Sequence, residues 1–247
     1  MEEHSDTAMK IHIGYLGPHG SDQRYFQSFR RLLPTDVQVT IVSLDIPSRY
    51  ELAGKTDKVI QCAAEVVRTH QVHGLIIPGA PLAILNPGLE EKVAKEIPVP
   101  AVTAIASVTA ALKALQAEKL ILMTPFDGPM NLRLTNRLAQ AGFSVLACPQ
   151  YEDPSTGAGQ KIGSEELFAR VEKTFGTAPS ADAIYFQSAA LDPIPIIERI
   201  ETRLGVPVVA SNPAMLWNLL STLGESYSIT GYGRLLESWP AVTKFAL

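Results

Sequence analysis

An internal repeat is the strongest constraint on how this chain folds. The segment VPAVTAIASVTAALKAL, from Val99, aligns with VPVVASNPAMLWNLLST, from Val206, about 107 positions later. The strand-like run before Pro18 aligns with the run before Pro125 at that spacing. The run before Gly79 aligns with the run before Ser188, with roughly two residues inserted. Self-similarity at a fixed spacing marks one supersecondary unit built twice. The chain therefore predicts two similar halves related by a pseudo-twofold axis.

Within each half, short apolar runs alternate with amphipathic stretches. Strands are expected at Ile11–Leu16, Val37–Val42, Gly74–Ile77, Ala101–Val102, Leu120–Met123, Phe143–Ala147, Ala183–Phe186 and Val206–Val209. Helices are expected at Asp22–Leu33, Thr56–His70, Leu89–Glu96, Ser107–Leu115, Asn131–Ala141, Glu165–Phe175, Ile194–Leu204 and Ala214–Leu223. This βαβα order predicts an α/β fold of two Rossmann-like parallel sheets covered by helices, with a site in the cleft between the halves. The expected division is a polar leader over 1–9, a first half over 10–117 and a second over 118–209. Residues 210–247 are expected to pack on the first half. The longest irregular stretch runs from Pro149 to Gly163.

Composition narrows the function classes. Hydrophobic residues make up 46% and charged residues 19% of the 247 positions, which excludes disorder as the main state. The formal net charge is −4, and no Lys/Arg cluster suggests nucleic acid. No apolar run approaches the roughly 18–20 residues that cross a bilayer. The start, MEEHSDTAMK, is too polar for a secretory signal, so a cytoplasmic location is expected. Two cysteines, Cys62 and Cys148, exclude a disulfide scaffold and a cysteine-based metal site. Gly14-Tyr15-Leu16-Gly17 followed by Gly20 lacks the dinucleotide spacing, and neither a Walker A sequence nor a paired-histidine zinc motif is present. His70 and His73 read as solvated capping groups at a helix end. Asp192 and Glu198 read as helix-start and helix-surface charges.

In open parallel sheets, ligands bind beyond the carboxyl ends of strands. Four such ends carry unusual residues: Gly17-Pro18-His19-Gly20, Pro78-Gly79-Ala80-Pro81, Thr124-Pro125-Phe126-Asp127 and Gln187-Ser188-Ala189-Ala190. Under the duplication they form two symmetric pairs facing one cleft. Small residues there let a ligand approach backbone amides, which can hold a carboxylate or enolate oxygen.

The segments RLGVPVVASNPAMLWNLL, from Arg203, and GYGRLLES, from Gly231, closely resemble bacterial arylmalonate decarboxylases. The parent group is the aspartate/glutamate racemase superfamily, which includes maleate cis–trans isomerases and hydantoin racemases. The resemblance spans the whole chain. It implies two Rossmann-like halves with the site between them, and it accounts for the repeat. It also implies cofactor-independent chemistry. The racemases use one cysteine on each half, and the decarboxylases keep only that of the second half. There an apolar pocket expels one carboxylate as carbon dioxide, fixed donors hold the enediolate, and the cysteine protonates it.

Against this pattern, the first-half cysteine position falls at Gly79, as in the decarboxylases, and the second-half position falls at Ser188. A serine hydroxyl is a far weaker acid than a thiol of pKa about 8.5. The Thr-Ser donors that follow the glycine in the family are here Ala80-Pro81, and Pro81 lacks even a backbone N–H. The resemblance places the family's site tyrosine, or an equivalent hydroxyl, at Phe126. The backbone amides of Ala80 and Ala189 remain as donors. His19, at the end of the first strand, has an unperturbed pKa of about 6.5, suited to proton transfer. Tyr15 is expected to pack and Asp127 to cap a helix. Tyr151, Asp153 and Thr156 lie on the loop that covers the pocket in relatives.

The residues expected to carry chemistry are thus Ser188 and His19. Gly79, Ala80, Thr124, Phe126, Gln187 and Ala189 are expected to contact the substrate. Three readings stand. One is a lyase or isomerase acting on a small carboxylate or dicarbonyl compound through an enolate, nearest to a malonate-type decarboxylase. The second is an isomerase or racemase using His19 and Ser188. The third is a ligand-binding or regulatory protein that lost both thiols. No cofactor, metal, nucleic acid or membrane partner is expected, and the assembly is expected to be a monomer or small homo-oligomer.

Overall fold

The computed structural model describes residues 10–17, 23–48, 51–150, 162–187 and 191–242. The leader expected over 1–9 lies outside them. The described residues form two four-stranded parallel sheets. The first contains β1 (Ile11–Gly17), β2 (Val37–Ser43), β3 (Gly74–Ile77) and β4 (Ala101–Thr103) in the order β2-β1-β3-β4. The second contains β5 (Lys119–Met123), β6 (Ser144–Ala147), β7 (Ala183–Phe186) and β8 (Val208–Ala210) in the order β6-β5-β7-β8.

The repeat extends to the pairing register. Ile13, Gly14 and Tyr15 pair with Gly74, Leu75 and Ile76. Their counterparts Leu120, Ile121 and Leu122 pair with Ala183, Ile184 and Tyr185. Ile76 pairs with Val102 in one sheet as Tyr185 pairs with Val209 in the other. The halves part company only at the edge, where β5 and β6 carry a register shift after Leu120.

The helices are α1 (Gln23–Arg30), α2 (Thr56–His70), α3 (Ala80–Ile84), α4 (Leu89–Glu96), α5 (Ala104–Ala114), α6 (Gly128–Gln140), α7 (Ser164–Thr177), α8 (Ile197–Leu204), α9 (Ser211–Thr222) and α10 (Arg234–Ser238). Alternation along the strands sorts the first sheet onto two cores. Leu16, Leu75 and Ile77 pack under α2 and α4. Ile13, Tyr15 and Ile76 face a larger core that continues into the second half. Tyr15 packs as expected, with ring centroids 5.9 Å from Phe26 and 5.0 Å from Phe29.

Between the halves, the repeat-related helices α5 and α9 pack on each other. Their facing residues are small or aliphatic, with Ser107, Val108 and Ala111 opposite a wholly buried stretch of α9. A polar pair crosses the seam, where Asn218 Nδ2 donates to Ser107 Oγ at 3.2 Å. The helix α9 also covers β3 and β4 of the first sheet, and α5 reaches β8 of the second.

The tail is fastened at both ends. The Tyr227 hydroxyl lies 3.3 Å from both carboxylate oxygens of Asp36 in the first half. On the second half, Glu198, expected as a surface charge, accepts the Gly231 N–H at 2.9 Å. Glu201 accepts the N–H groups of Val208 at 2.8 Å and Arg234 at 2.9 Å. Gly233 closes this junction at φ 86°, where an added Cβ would lie 2.3 Å from Ile197 Cγ2.

Three helices begin one turn earlier than their apolar periodicity suggests: α5, α6 and α9. In α6, Asp127 caps by accepting the Met130 N–H at 2.9 Å, as expected, and Pro129 sits in the first turn. Proline there is harmless because its missing N–H has no helical partner. The short helices α3 and α10 carry too few residues to show a period.

Candidate active site

The described strand ends form one side of the site in each half. Gly79 follows β3 at φ 94°, a conformation that L side chains rarely adopt, and an added Cβ there would meet nothing within 4 Å. The residue is thus held where only glycine is unstrained. Ala80, fully buried, opens α3; Pro81 after it has no N–H, and the Leu82 N–H bonds back to Gly79 O at 3.0 Å. The end of this segment is anchored by buried Asn86. Its Nδ2 donates to Leu52 O and Leu82 O at 2.7 Å, and its Oδ1 accepts the Lys55 N–H at 2.6 Å. The helix α3 touches α6, so the Gly79 segment faces the other half.

In the second half, Thr124 follows β5 and is fully buried. Its hydroxyl donates to Asn131 Oδ1 at 2.5 Å and accepts the Phe126 N–H at 3.1 Å. Asn131 Nδ2 closes the loop by donating to Phe126 O at 3.1 Å. The Phe126 ring is half-buried against the main core. Gln187 follows β7, with its N–H bonded to Met123 O at 2.9 Å. Its side-chain oxygen accepts from the Tyr185 hydroxyl and lies 3.2 Å from Ser211 Oγ at the start of α9. Burial pushes the Tyr185 phenol well above its ordinary range, with a hydrogen bond to Ser211 opposing in part.

His19, Ser188 and Ala189 lie outside the described residues, as do Tyr151, Asp153 and Thr156. Of the expected contact residues, the structure places Gly79 and Ala80 at the end of one sheet, and Thr124, Phe126 and Gln187 at the end of the other. Neither Tyr185 nor Ser211 was singled out from the sequence. A signal existed for Tyr185, which stands two positions before Gln187 and so shares its face of the strand.

Neither cysteine is activated. Burial raises the Cys62 and Cys148 thiols above their ordinary pKa. His70 and His73, expected as solvated caps, are both exposed, and His73 also joins a hydrogen-bonded group at the opposite end of the first sheet. There His73 Nδ1 accepts the His12 N–H at 2.9 Å, and His12 Nε2 lies 2.8 Å from Thr40 Oγ1. A groove of about 580 Å³ between α7 and α8 also lies away from the strand ends. Its arginines are committed: Arg199 to Glu165 at 2.5 Å and Arg203 to Glu172 at 2.7 Å. Among the described residues, no His, Cys, Asp and Glu cluster is placed to hold a metal, and no helix is long and apolar enough to cross a membrane.

A model of the arylmalonate decarboxylase family matches residues 55–236, most of the chain. This chain belongs to the arylmalonate decarboxylase family. Arylmalonate decarboxylase of Bordetella bronchiseptica is 28% identical over 156 residues, covering 63% of this chain and 65% of that protein. Maleate isomerase of Nocardia farcinica is 26% identical over 133 residues, covering 53% and 52%. The aligned region thus spans about two thirds or less of these relatives' lengths. The structure of unliganded arylmalonate decarboxylase superposes with a TM-score of 0.80 at 24% identity, over 93% of this chain and 100% of that one. The maleate isomerase of Pseudomonas putida S16 superposes at 0.79 with 17% identity, over 93% and 99%. Family membership agrees with the decarboxylase-type resemblance of the tail, and the structural likeness agrees with the fold expected from the repeat.

Proposed function

We propose that this family member is a cofactor-independent carbon–carbon lyase acting on a small carboxylate through an enolate-type intermediate, nearest to a malonate-type decarboxylase. The observation that carries this reading is Gly79. It stands at a strand end at positive φ, bordering open space, at the position where the resemblance puts the glycine of the decarboxylases. A side chain there would occupy the space that a planar intermediate needs. Loss of carbon dioxide leaves an electron pair on carbon, delocalised onto the remaining carboxylate oxygens. Donors aimed at those oxygens lower the barrier. Backbone N–H groups of Ala80 and Ala189 are assigned this role.

A proton must then reach the carbon from one face. His19 and Ser188 are assigned to deliver it, His19 as the acid of suitable pKa and Ser188 as the hydrogen-bonding partner of substrate. The maleate isomerase relatives favour a second reading, in which the same two residues pass a proton between faces without loss of carbon dioxide.

Proton NMR in deuterated buffer tests both readings. The substrate panel holds aryl- and alkylmalonates, maleate, hydantoins and β-keto acids. Loss of carbon dioxide with deuterium entering next to the carboxylate is the expected result. Cis–trans conversion or exchange alone selects the isomerase reading. Tight binding without change selects a binding protein. Undiminished turnover in both His19→Ala and Ser188→Ala removes those two residues from the mechanism.

A further inference from the structure

At three matched positions the halves differ in kind. Tyr185, Gln187 and Ser211 of the second half stand where the first half has Ile76, Pro78 and Ala104. All three polar side chains are nearly sealed, at 0%, 2% and 6% exposure. An apolar trio packs such a place at lower cost, because buried polar groups must be hydrogen-bonded to break even. The first half shows that the fold accepts the apolar version.

The network's product is a fixed amide. The Tyr185 hydroxyl donates to Gln187 Oε1. Ser211 Oγ lies 3.2 Å from that oxygen and 3.3 Å from Phe186 O, and its single proton serves one of the two. The amide oxygen thus faces the two hydroxyls. The NH2 group is thereby turned away from them. Among the described residues it has no acceptor.

We infer that Gln187 is a specificity-determining donor whose NH2 group binds an oxygen of a small carboxylate substrate. Tyr185 and Ser211 are positioning residues that hold the amide by its other end. The inference rests on the carboxylate chemistry proposed above. Gln187 stands at the carboxyl end of β7, beside the start of α9, where ligands of parallel sheets bind. The donor is neutral, and no Lys or Arg occurs among the described residues that end the strands. Arg31, in the first half, is 3.6 Å from Asp192. Gln187 therefore holds the carboxylate by a neutral hydrogen bond rather than by an ion pair, and this contact is expected to vary little with salt.

The test is binding to the full chain, labelled with nitrogen-15, using phenylmalonate, malonate, maleate and acetate as probes. The Gln187 NH2 signals, assigned in the wild type, are expected to shift on titration with the tightest acid. Gln187→Glu keeps an acceptor for both hydroxyls but loses the donor, so it should bind that acid about tenfold or more weakly. Tyr185→Phe keeps the donor and loses its restraint, and a smaller loss is expected. An acid that binds without moving the Gln187 signals, and equally well to Gln187→Glu, overturns the inference and leaves the proposed function standing. If none of the acids binds the wild type and none is turned over, both fall. The wild-type shift decides the matter even if a variant does not fold.

Discussion

The two halves share strand order and register, yet they put different chemistry at the strand ends. Ile76, Pro78 and Ala104 stand at the strand ends of the first half, where the second half has Tyr185, Gln187 and Ser211. The contrast recurs at the helix that follows each site loop. The buried residues of α4, Leu89 and Val93, are hydrocarbon, whereas α8 buries, beside Ile197 and Ile200, the carboxyl group of Glu201, which serves two backbone N–H groups. Backbone hydrogen bonds set the register, and these are indifferent to the side chains at the ends of strands. A duplicated sheet can keep its geometry while one end turns polar and the other stays apolar. That suits a reaction that needs donors on one side and a dry wall on the other.

The largest effect is expected at the seam that joins the halves. Trp217 is fully buried in α9, and its indole N–H donates to Pro240 O at 3.0 Å. Trp217→Ala should cost about 3–5 kcal/mol in urea unfolding. If the loss is under about 1 kcal/mol, the seam is not a core. Next comes the Ser107–Asn218 bond across it. Ser107→Ala strands the Asn218 amide and should cost about 1–3 kcal/mol. Asn218 matches Ala111 in the repeat. The double variant Ser107→Ala, Asn218→Ala makes the seam apolar on both sides, and it should recover part of that loss. A double-mutant cycle with no coupling would refute the pairing.

Glu201 offers a pH signature that the hydrocarbon buried under α4 cannot. Burial raises its pKa, while the hydrogen bonds from Val208 and Arg234 pull it down. The folded chain therefore holds this proton more tightly than the unfolded chain. Between the ordinary glutamate value and the raised one, unfolding releases a proton, so this group's contribution weakens as pH rises through that window. Glu201→Gln should remove the slope at a cost of about 1 kcal/mol, seen as urea midpoints taken on both sides of the window. An unchanged slope would mean that another group is responsible. The smallest effect belongs to the α7–α8 surface, where Arg203 meets Glu172 with side chains 68% and 34% exposed. Glu172→Gln should shift stability by no more than about 0.5 kcal/mol.

The duplication was legible in the sequence because a buried parallel strand and the helix behind it tolerate few residue types. The repeat around Val99 and Val206 is that constraint written twice. The Thr124 and Gln187 strand ends were legible for the same reason, since they terminate apolar runs. Tyr185 and Ser211 escaped because a tyrosine in a buried strand and a serine at a helix start each have an ordinary explanation alone. Only their meeting at one amide oxygen gives them a shared purpose, and that meeting joins positions from neighbouring strands. Glu198 and Glu201 escaped likewise, since their partners are backbone groups of the tail.

Because α9 is encoded in the second repeat yet covers β3 and β4 of the first sheet, neither repeat is self-sufficient. A chain cut in the link between α5 and β5 would yield two pieces, each with an apolar flank meant for the other. Such pieces would behave as subunits of an obligate dimer, folding only when mixed and only above some concentration. The link converts that encounter into an intramolecular event, so assembly of the cleft becomes independent of how much protein is present.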